Sequence, residues 1–553
     1  MSIFQPKAYV ETIDSFVERF DGQRRVYSIC YCCAAQRAFL ISALNIVAQD
    51  RVNIPILPQC SYALKQYDVF LKSLFKNKGV ISAVCIDRIT GRASFFQFPK
   101  QSNSLLPTKV FYTSENSLRQ TPISQLQGMN EVISKVPSYS RVAALDSPFT
   151  AKIYGVIDET TEHRREMPFG GHSVYFGESD ILASIEVMER RSCASLDDGQ
   201  KNKRVFASYN ELGPLIAMNP ISVGLYSKDF YQKHPDLMFS ANKKIHWVEG
   251  LSLFSNRKVL VPELLAYLSS DSPQERYIYS TSNGTATGSN LQEAMLFGLL
   301  EVIERDAFLV SWYSGEQWKK ISLDESPILG KDEKCLIRRM NHFGYRTHFL
   351  DITNEFCVPA VAAIAERIDH QYGYLCFGAA AHPLLSGAIR SALSEIASDI
   401  DVANKRSRLF EPKIIKMLDD FNYVQTQQDH TDLYAHPAST KLIQERLENT
   451  ELVVCKEGSN KSRQLLNSTL LLGNYVEKLH HAGYETIAID ETTPAQKYWG
   501  LNSVKIIVPG LVPIDFGWDK QRALSNPRVL VRERLQRNIS ATKKFKPIPH
   551  PFP

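Results

Sequence analysis

The stretch TSNGTATGSNLQEAMLFGLLEVIERDAF (281–308) limits most sharply what this chain can fold into. Its first ten residues carry two glycines with Ser, Thr and Asn, and read as a loop. Ser289 stands three before Gln292, a capping-box spacing, so a helix is expected to start there. Backbone amides at such a start can receive an anion. With Glu293 set at zero and about 100° per residue, Glu304 falls at about 20°, Glu301 at about 80° and Arg305 at about 120°. Met295, Leu296, Leu299, Leu300, Val302, Ile303 and Ala307 cover most of the remaining circumference, and Phe297 and Phe308 lie inside the charged arc. A surface helix has a broad polar face; this one reads as apolar all round except for a carboxylate ridge.

Three carboxylates on one buried face repel each other and lose hydration. Each buried ion costs on the order of several kcal/mol unless it is compensated. One arginine cannot neutralise three. Either their pKa values rise or cations sit among them. Ligands that are all oxygen favour a hard cation such as magnesium, which usually also takes phosphates and water. The competing reading is a salt-bridged helix packed against a basic neighbour.

A second copy supports the cation reading. IEVMERR (185–191) and LEVIERD (300–306) share Glu-Val-x-Glu-Arg. Glu186, Glu189 and Arg190 have i, i+3, i+4 spacing on DILASIEVMERRS, which is apolar between its charges. Two such helices face to face bring five carboxylates and two arginines together. A third candidate helix, AIRSALSEIASDI (388–400), offers Arg390 and Glu395 and by itself reads as a solvated amphipathic helix.

Composition excludes several other classes. The 553 residues are 44% hydrophobic and 22% charged, an ordinary globular balance. At about 150 residues per domain that predicts three or four modules. A net charge of +5, from 64 basic and 59 acidic residues, gives no nucleic-acid footprint. Lys543-Lys544-Phe545-Lys546 reads as a solvated tail segment. No apolar run approaches ~18 residues, so no membrane span is expected. MSIFQPKAYVETID lacks the basic flank and apolar run of a secretory signal. The ten scattered cysteines then read mostly as reduced core thiols of a cytoplasmic protein.

Residues 1–140 read as a separate module. YVETIDSFVERF has helical spacing, VISAVCIDRITGRASFFQF is a β-hairpin turning at 87–91, and 120–140 is a polar connector. From 141 to about 540 strand and helix patterns mix, predicting an α/β (mixed α+β) core. KIIVPGLVPIDFG (505–517) has the look of a buried strand and a turn. FKPIPHPFP can be neither helix nor central strand, because every second residue from Pro547 is proline.

At these residues the sequence resembles the azoline-forming cyclodehydratase branch of the YcaO family, over roughly 145–553. SNGTATGSNLQEAMLFGLLEVIERDA resembles its signature. QDHTDLYAHP (428–437) is similar to its Asp-His…Tyr segment, and AIDETTPAQKYWGLNSVKIIVPGLVPIDFG (488–517) to its late strand–turn segment. The proline-alternating end resembles the PxPxP terminus of its azoline-forming members.

The resemblance implies a YcaO-like core of packed helices and sheets that binds ATP and Mg2+. By motif match Glu186, Glu189, Arg190, Glu293, Glu301, Glu304 and Arg305 take nucleotide roles, with Ser289, Asn290 and Arg390 nearby. The glutamates among them, with Glu395, are the implied metal ligands. The implied reaction phosphorylates a backbone amide oxygen of a precursor peptide, after a Cys, Ser or Thr side chain has added to the carbonyl, and yields a thiazoline or oxazoline. A stalk of seven proline-rich residues spans ~22 Å at ~3.1 Å each. It can present the carboxylate of Pro553 as a catalytic base; the other reading is a stiff, solvated tail (541–553).

Leu182, Ser289 and Ser391 stand where the family has Ser, Asn and Arg, with Asn290 and Arg390 displaced by one, and Gly171-His172-Ser173 replaces its glycine-lysine-glycine. These departures keep the carboxylates and thin the phosphate-side groups, which leaves open a weakened scaffold subunit as well as an active enzyme. A thioamide- or amidine-forming relative is a third reading. In the amino-terminal module Cys30, Cys33 and Arg37 resemble the PCxxC…R segment of the family's ThiF-like partner, and Asp87, Thr90 and Gly91 resemble its hairpin. Two cysteines do not make a structural zinc site, even with Cys60 or Cys85 at hand. The module is read as a partner-docking or dimerisation domain. Leader recognition by a separate ThiF-like protein, a later flavin-dependent azoline dehydrogenase, and a homodimer or larger complex are the expected partners.

Overall fold

The computed structural model describes residues 24–30, 80–87, 93–99, 139–144, 149–159, 165–173, 176–196, 201, 203–268, 272–323, 328–453, 467–498, 500–539 and 546–552. The chain divides into two compact units, 1–113 with 126–187 and 114–125 with 188–553. YVETIDSFVERF, most of the 120–140 connector, Cys33, Arg37 and Cys60 lie outside the described residues.

In the first unit β1 (Arg24–Cys30), β2 (Val80–Asp87) and β3 (Ala93–Pro99) form an antiparallel sheet in that order. β2 and β3 pair antiparallel as the expected hairpin requires, with Ile86 opposite Ala93, while Arg88, Ile89, Thr90 and Gly91 of its turn lie outside the described residues. A second meander joins β4 (Tyr139–Ala144), β5 (Ala151–Glu159) and β6 (Arg165–Ser173). Helix α1 (Phe176–Ser192) follows, and from Met188 onward it belongs to the second unit.

The second unit runs β7 (Val205–Ala207), β8 (Ile245–Ser252), β9 (Arg257–Pro262), β10 (Thr285–Gly288), α2 (Leu291–Tyr313), β11 (Lys319–Ile321) and α3 (Lys331–His342). It continues with β12 (Tyr345–Asp351), β13 (Ala360–Arg367), β14 (Leu375–Ala381), α4 (Leu385–Leu409) and α5 (Gln427–Ala435). Last come β15 (Glu451–Val453), α6 (Ser468–His481), β16 (Ile487–Asp490), β17 (Asn502–Ile507) and α7 (Pro527–Ile539). One sheet has the order β10-β17-β16-β8-β7, with β9 on β8; the other is β14-β13-β12-β11-β15.

Helix α2 ties the two sheets together, which explains why its sequence is apolar nearly all round. Its first half, including Leu299, Leu300 and Ile303, packs on Ala488, Val504 and Ile506 and on Leu472 and Leu479 of α6. Its second half, Phe308, Leu309, Trp312 and Tyr313, packs on Ile364, Phe377 and Tyr434. Burying each such side chain contributes roughly 1.5–3 kcal/mol. Asp306 pins the helix from within the core. It takes two hydrogen bonds from Arg528 of α7 (2.8 and 2.7 Å), one from Asn354 (2.9 Å) and one from the Val512 amide (2.9 Å).

The helix start differs from expectation. The N-cap is Asn290, whose Oδ1 accepts from the Glu293 amide at 2.9 Å. A capping box on Ser289 is therefore one residue out of register, because the strand β10 and the bend after it carry the chain one residue further before it turns. The proline-rich end also departs from a free stalk: residues 548–552 are buried, with His550 and Phe552 fully so.

Candidate active site

The loop in front of α2 approaches the helix closely because two glycines meet. Gly284 has φ +84°, and a Cβ there would stand 2.3 Å from the Ile506 carbonyl oxygen. A Cβ on Gly298 would stand 2.6 Å from the carbonyl oxygen of Gly284. Bare backbone at both points lets the Gly284 amide donate to Glu301 Oε2 at 3.2 Å. This contact starts the carboxylate ridge.

One turn on, Glu304 Oε2 accepts from the Ala381 amide at the end of β14 (3.1 Å). Glu395 of α4 accepts from the Ala379 amide at 3.0 Å. Arg305 lies among them, 3.6 Å from Glu304 Oε1 and 3.8 Å from Glu301 Oε1. Burial pushes the Glu304 carboxyl well above the usual range, repulsion from Glu395 and Glu301 adds to it, and Arg305 opposes. Burial raises Glu395 to about 7, against Arg305 and the Ala379 amide. Arg305 is shared by three carboxylates, with Lys505 within Coulombic reach of Glu301, and an all-oxygen donor set of this kind suits a hard cation.

Two further predicted residues stand at the helix start. Glu293 is fully buried, and its Oε2 accepts from Ser289 Oγ at 2.6 Å. Glu189, from the end of α1, accepts from the Thr287 amide at 2.8 Å, so the second Glu-Val-x-Glu-Arg copy reaches strand β10, which pairs with β17 where the sequence predicts only a loop. Glu186 lies on the same helix within the other unit. Arg390 stands apart: its guanidinium is tied to Glu333 of α3 at 2.5 Å and is half exposed. The one-residue displacement on α4 turns it toward that partner, as an offset of ~100° implies. Pro553 lies outside the described residues. Among the described residues no three Asp, Glu, His or Cys side chains converge tightly enough to hold a metal ion by themselves. Magnesium commonly takes one or two carboxylates and fills its shell with water and phosphate.

Two groups escaped the sequence reading. The first is a buried set at the paired interior strands β16 and β17. Lys505 donates to the Thr281 carbonyl (2.6 Å), and burial lowers its pKa against the pull of Glu491. Glu491 is fully buried and neither carboxyl oxygen has a hydrogen-bond partner. Burial raises it to about 8, with Lys505 opposing and Glu189 and Asp490 adding. Its only sequence signal is a charge in an otherwise buried strand end. The second is a clamp on the carboxy-terminal segment. Trp312 Nε1 donates to the Ile548 carbonyl (3.0 Å) and Tyr434 Oη to that of Pro549. The Gly517 amide donates to His430 Nε2 (3.1 Å), which leaves His430 Nδ1–H to donate to the His550 carbonyl (2.7 Å). The two imidazoles stack at 4.1 Å, and burial lowers His430 to about 4. Asp-His…Tyr was visible as a motif, and its role as the seat of the tail was not.

A family model described as YcaO cyclodehydratase, ATP- and Mg2+-binding, matches residues 170–512, more than half of the chain. The chain belongs to the YcaO family. ATP and Mg2+ are the cofactors that this family binds, as the motifs led us to expect. The YcaO chain is 30% identical over 186 residues to an uncharacterised protein in the tfuA 3′ region of Rhizobium leguminosarum bv. trifolii, covering 32% of this chain and 44% of that protein. It is 27% identical over 157 residues to an uncharacterised protein of Methanothermobacter thermautotrophicus, covering 28% and 40%. These matches thus span less than half the length of the curated relatives.

Among solved structures, a heterocyclase in complex with substrate and cofactor matches with a TM-score of 0.60 at 19% identity, over 96% of this chain and 76% of that one. The heterocyclase TruD matches at 0.52 and 19%, over 92% and 72%. YcaO from Methanopyrus kandleri, bound with AMPPCP and Mg2+, matches at 0.50 and 16%, over 73% and 95%. At these identities the likeness establishes the mixed helix-and-sheet fold. No helix among the described residues is long and apolar enough to cross a membrane.

Proposed function

We propose that this YcaO protein is a cytoplasmic ATP- and Mg2+-dependent cyclodehydratase acting on a ribosomally made precursor peptide. A Cys, Ser or Thr side chain of the peptide adds to the preceding carbonyl carbon. The γ-phosphoryl group passes to the resulting oxygen, and inorganic phosphate leaves as the thiazoline or oxazoline forms. The peptide loses one water and ATP becomes ADP.

Bound together, ATP and Mg2+ supply the phosphoryl group and turn a poor oxygen leaving group into phosphate. The chain's part is positioning and charge neutralisation, which is most of what phosphoryl transfer needs from a protein. Glu186, Glu189, Glu293, Glu301, Glu304 and Glu395 would hold the cations. Arg305 and Arg190 would meet phosphate oxygens. Ser289 orients Glu293 through its 2.6 Å hydrogen bond, and Asn290 fixes the helix start through its cap. The terminal carboxylate of Pro553 would take the amide proton. Residues 1–140 would dock a ThiF-like partner or a second copy, 141–540 would carry the chemistry, and a flavin-dependent dehydrogenase would act on the product.

The observation that carries this reading is the group of Glu301, Glu304 and Glu395 around one arginine, with the proline-rich end running buried to that same arginine. The buried end also favours azoline formation over the thioamide and amidine readings, since such a terminus was the mark of the former. The test is to incubate the full-length protein with its partner, a Cys- or Ser-rich precursor, ATP and Mg2+. A mass loss of one water per ring and release of phosphate are expected; neither occurring refutes the proposal. The engagement of Arg390 with Glu333 favours a second reading, a catalytically weakened scaffold subunit. That reading fails if the isolated protein turns over ATP in the presence of peptide.

A further inference from the structure

The penultimate residue, Phe552, is fully buried, and its ring centroid lies 3.9 Å from the guanidinium carbon of Arg305. On its other side it meets the Phe308 ring, 4.9 Å away. The two carboxylates beside Arg305, at 3.6 and 3.8 Å, make Coulombic contacts longer than hydrogen bonds. A flat aromatic face stacked on a guanidinium restricts the plane that the group can take.

Phe552 is itself held in place. The carbonyls of Ile548, Pro549 and His550 each accept a hydrogen bond, from Trp312, Tyr434 and His430 in turn. His550 Nε2 donates to the Asp515 carbonyl at 2.9 Å. Pro547, Pro549 and Pro551 fix φ at every second residue. The segment therefore meets Arg305 as a rigid rod with few conformations to lose.

We propose that Phe552 is a positioning residue for Arg305: its ring orients the guanidinium toward the nucleotide phosphates, and so couples docking of the carboxy-terminal segment to nucleotide binding. The proposal rests on the ATP-dependent reading above. It gives the segment a task separate from that of the terminal carboxylate, exerted on affinity and not on proton transfer.

The test is equilibrium binding of AMPPCP with Mg2+ to the full-length protein and to Phe552→Leu, which keeps apolar bulk and removes the aromatic face. Binding should weaken ~3- to 30-fold, the span expected for loss of one partly desolvated cation–π contact. Affinity equal to wild type, with only a lowered Tm, overturns the proposal and makes Phe552 a filler of the core. A double-mutant cycle keeps the test decisive if Leu at 552 loosens the fold. Arg305→Lys retains the charge and has no plane to orient, so Phe552→Leu on that background should cost clearly less affinity than it does in the wild type. Additive losses overturn the proposal. Wild-type protein that binds no AMPPCP at all overturns the ATP-dependent reading itself, a result distinct from either.

Discussion

Removing the proline-rich end is the obvious test of its chemistry, and it would damage the fold. Deletion of residues 550–553 takes away Phe552, which is fully buried against Phe308 and Arg305. Loss of a buried Phe side chain costs about 3–5 kcal/mol. His430 Nδ1 loses its acceptor at His550. A buried donor left without a partner costs about 1–3 kcal/mol more. These terms share neighbours and do not simply add. A net loss of about 4–7 kcal/mol is a large part of the ~5–15 kcal/mol that holds an ordinary domain together. Urea unfolding followed by tryptophan fluorescence reads it directly, since Trp312 lies under the segment and bonds to Ile548. A midpoint equal to that of wild type refutes the packing argument. Appending one glycine after Pro553 is the cleaner perturbation. It moves the terminal carboxylate while leaving Phe552 in place, so stability should stay within ~0.5 kcal/mol while ring formation stops. Full activity of the extended protein refutes the role of the terminal carboxylate.

Three other outcomes follow from the geometry. Glu304→Gln replaces a carboxyl whose ionisation is disfavoured by burial and by Glu395 and Glu301, so it should abolish ATP-dependent turnover while leaving the metal-free protein at least as stable; a thermal melt showing marked destabilisation contradicts this. Glu395, raised to about 7 mainly by burial, keeps its proton in the folded state at pH values where the unfolded chain has lost it. Folding stability without metal should therefore fall as pH rises from the ordinary carboxylate range to about 7. Added Mg2+ must displace that proton, so its stabilising effect should grow between about pH 6 and pH 8, as melts at fixed Mg2+ will show. Asp306→Ala leaves Arg528 buried without its main counter-ion and should cost about 3–5 kcal/mol in chemical denaturation.

The sequence revealed most where one element carries several constraints at once. Helix α2 was legible because its apolar residues cover nearly the whole circumference and its charges repeat at helical spacing. The antiparallel pairing of β2 with β3 was legible from two β-rich runs set close together, and α4 from its amphipathic period. The capping residue was missed by one, since Ser and Asn both favour caps and adjacent residues offer each. Arg390 could not be placed from sequence, because its partner Glu333 comes from a helix 57 residues away. Glu491 and Lys505 escaped notice because neighbouring strands bring them together, and strand pairing leaves no local signature for one charge. The proline alternation excluded helix and sheet correctly but said nothing about burial. Burial there comes from His430, Tyr434 and Trp312, each more than a hundred residues away.

Whether the ridge carboxylates hold cations that in turn hold a nucleotide is decided by titrating AMPPCP into the full-length protein, with Mg2+ and then with EDTA, and into Glu304→Gln alongside. Saturable binding is expected, disappearing with EDTA and lost or strongly weakened in Glu304→Gln. Equal binding in EDTA, or in the variant, would contradict it.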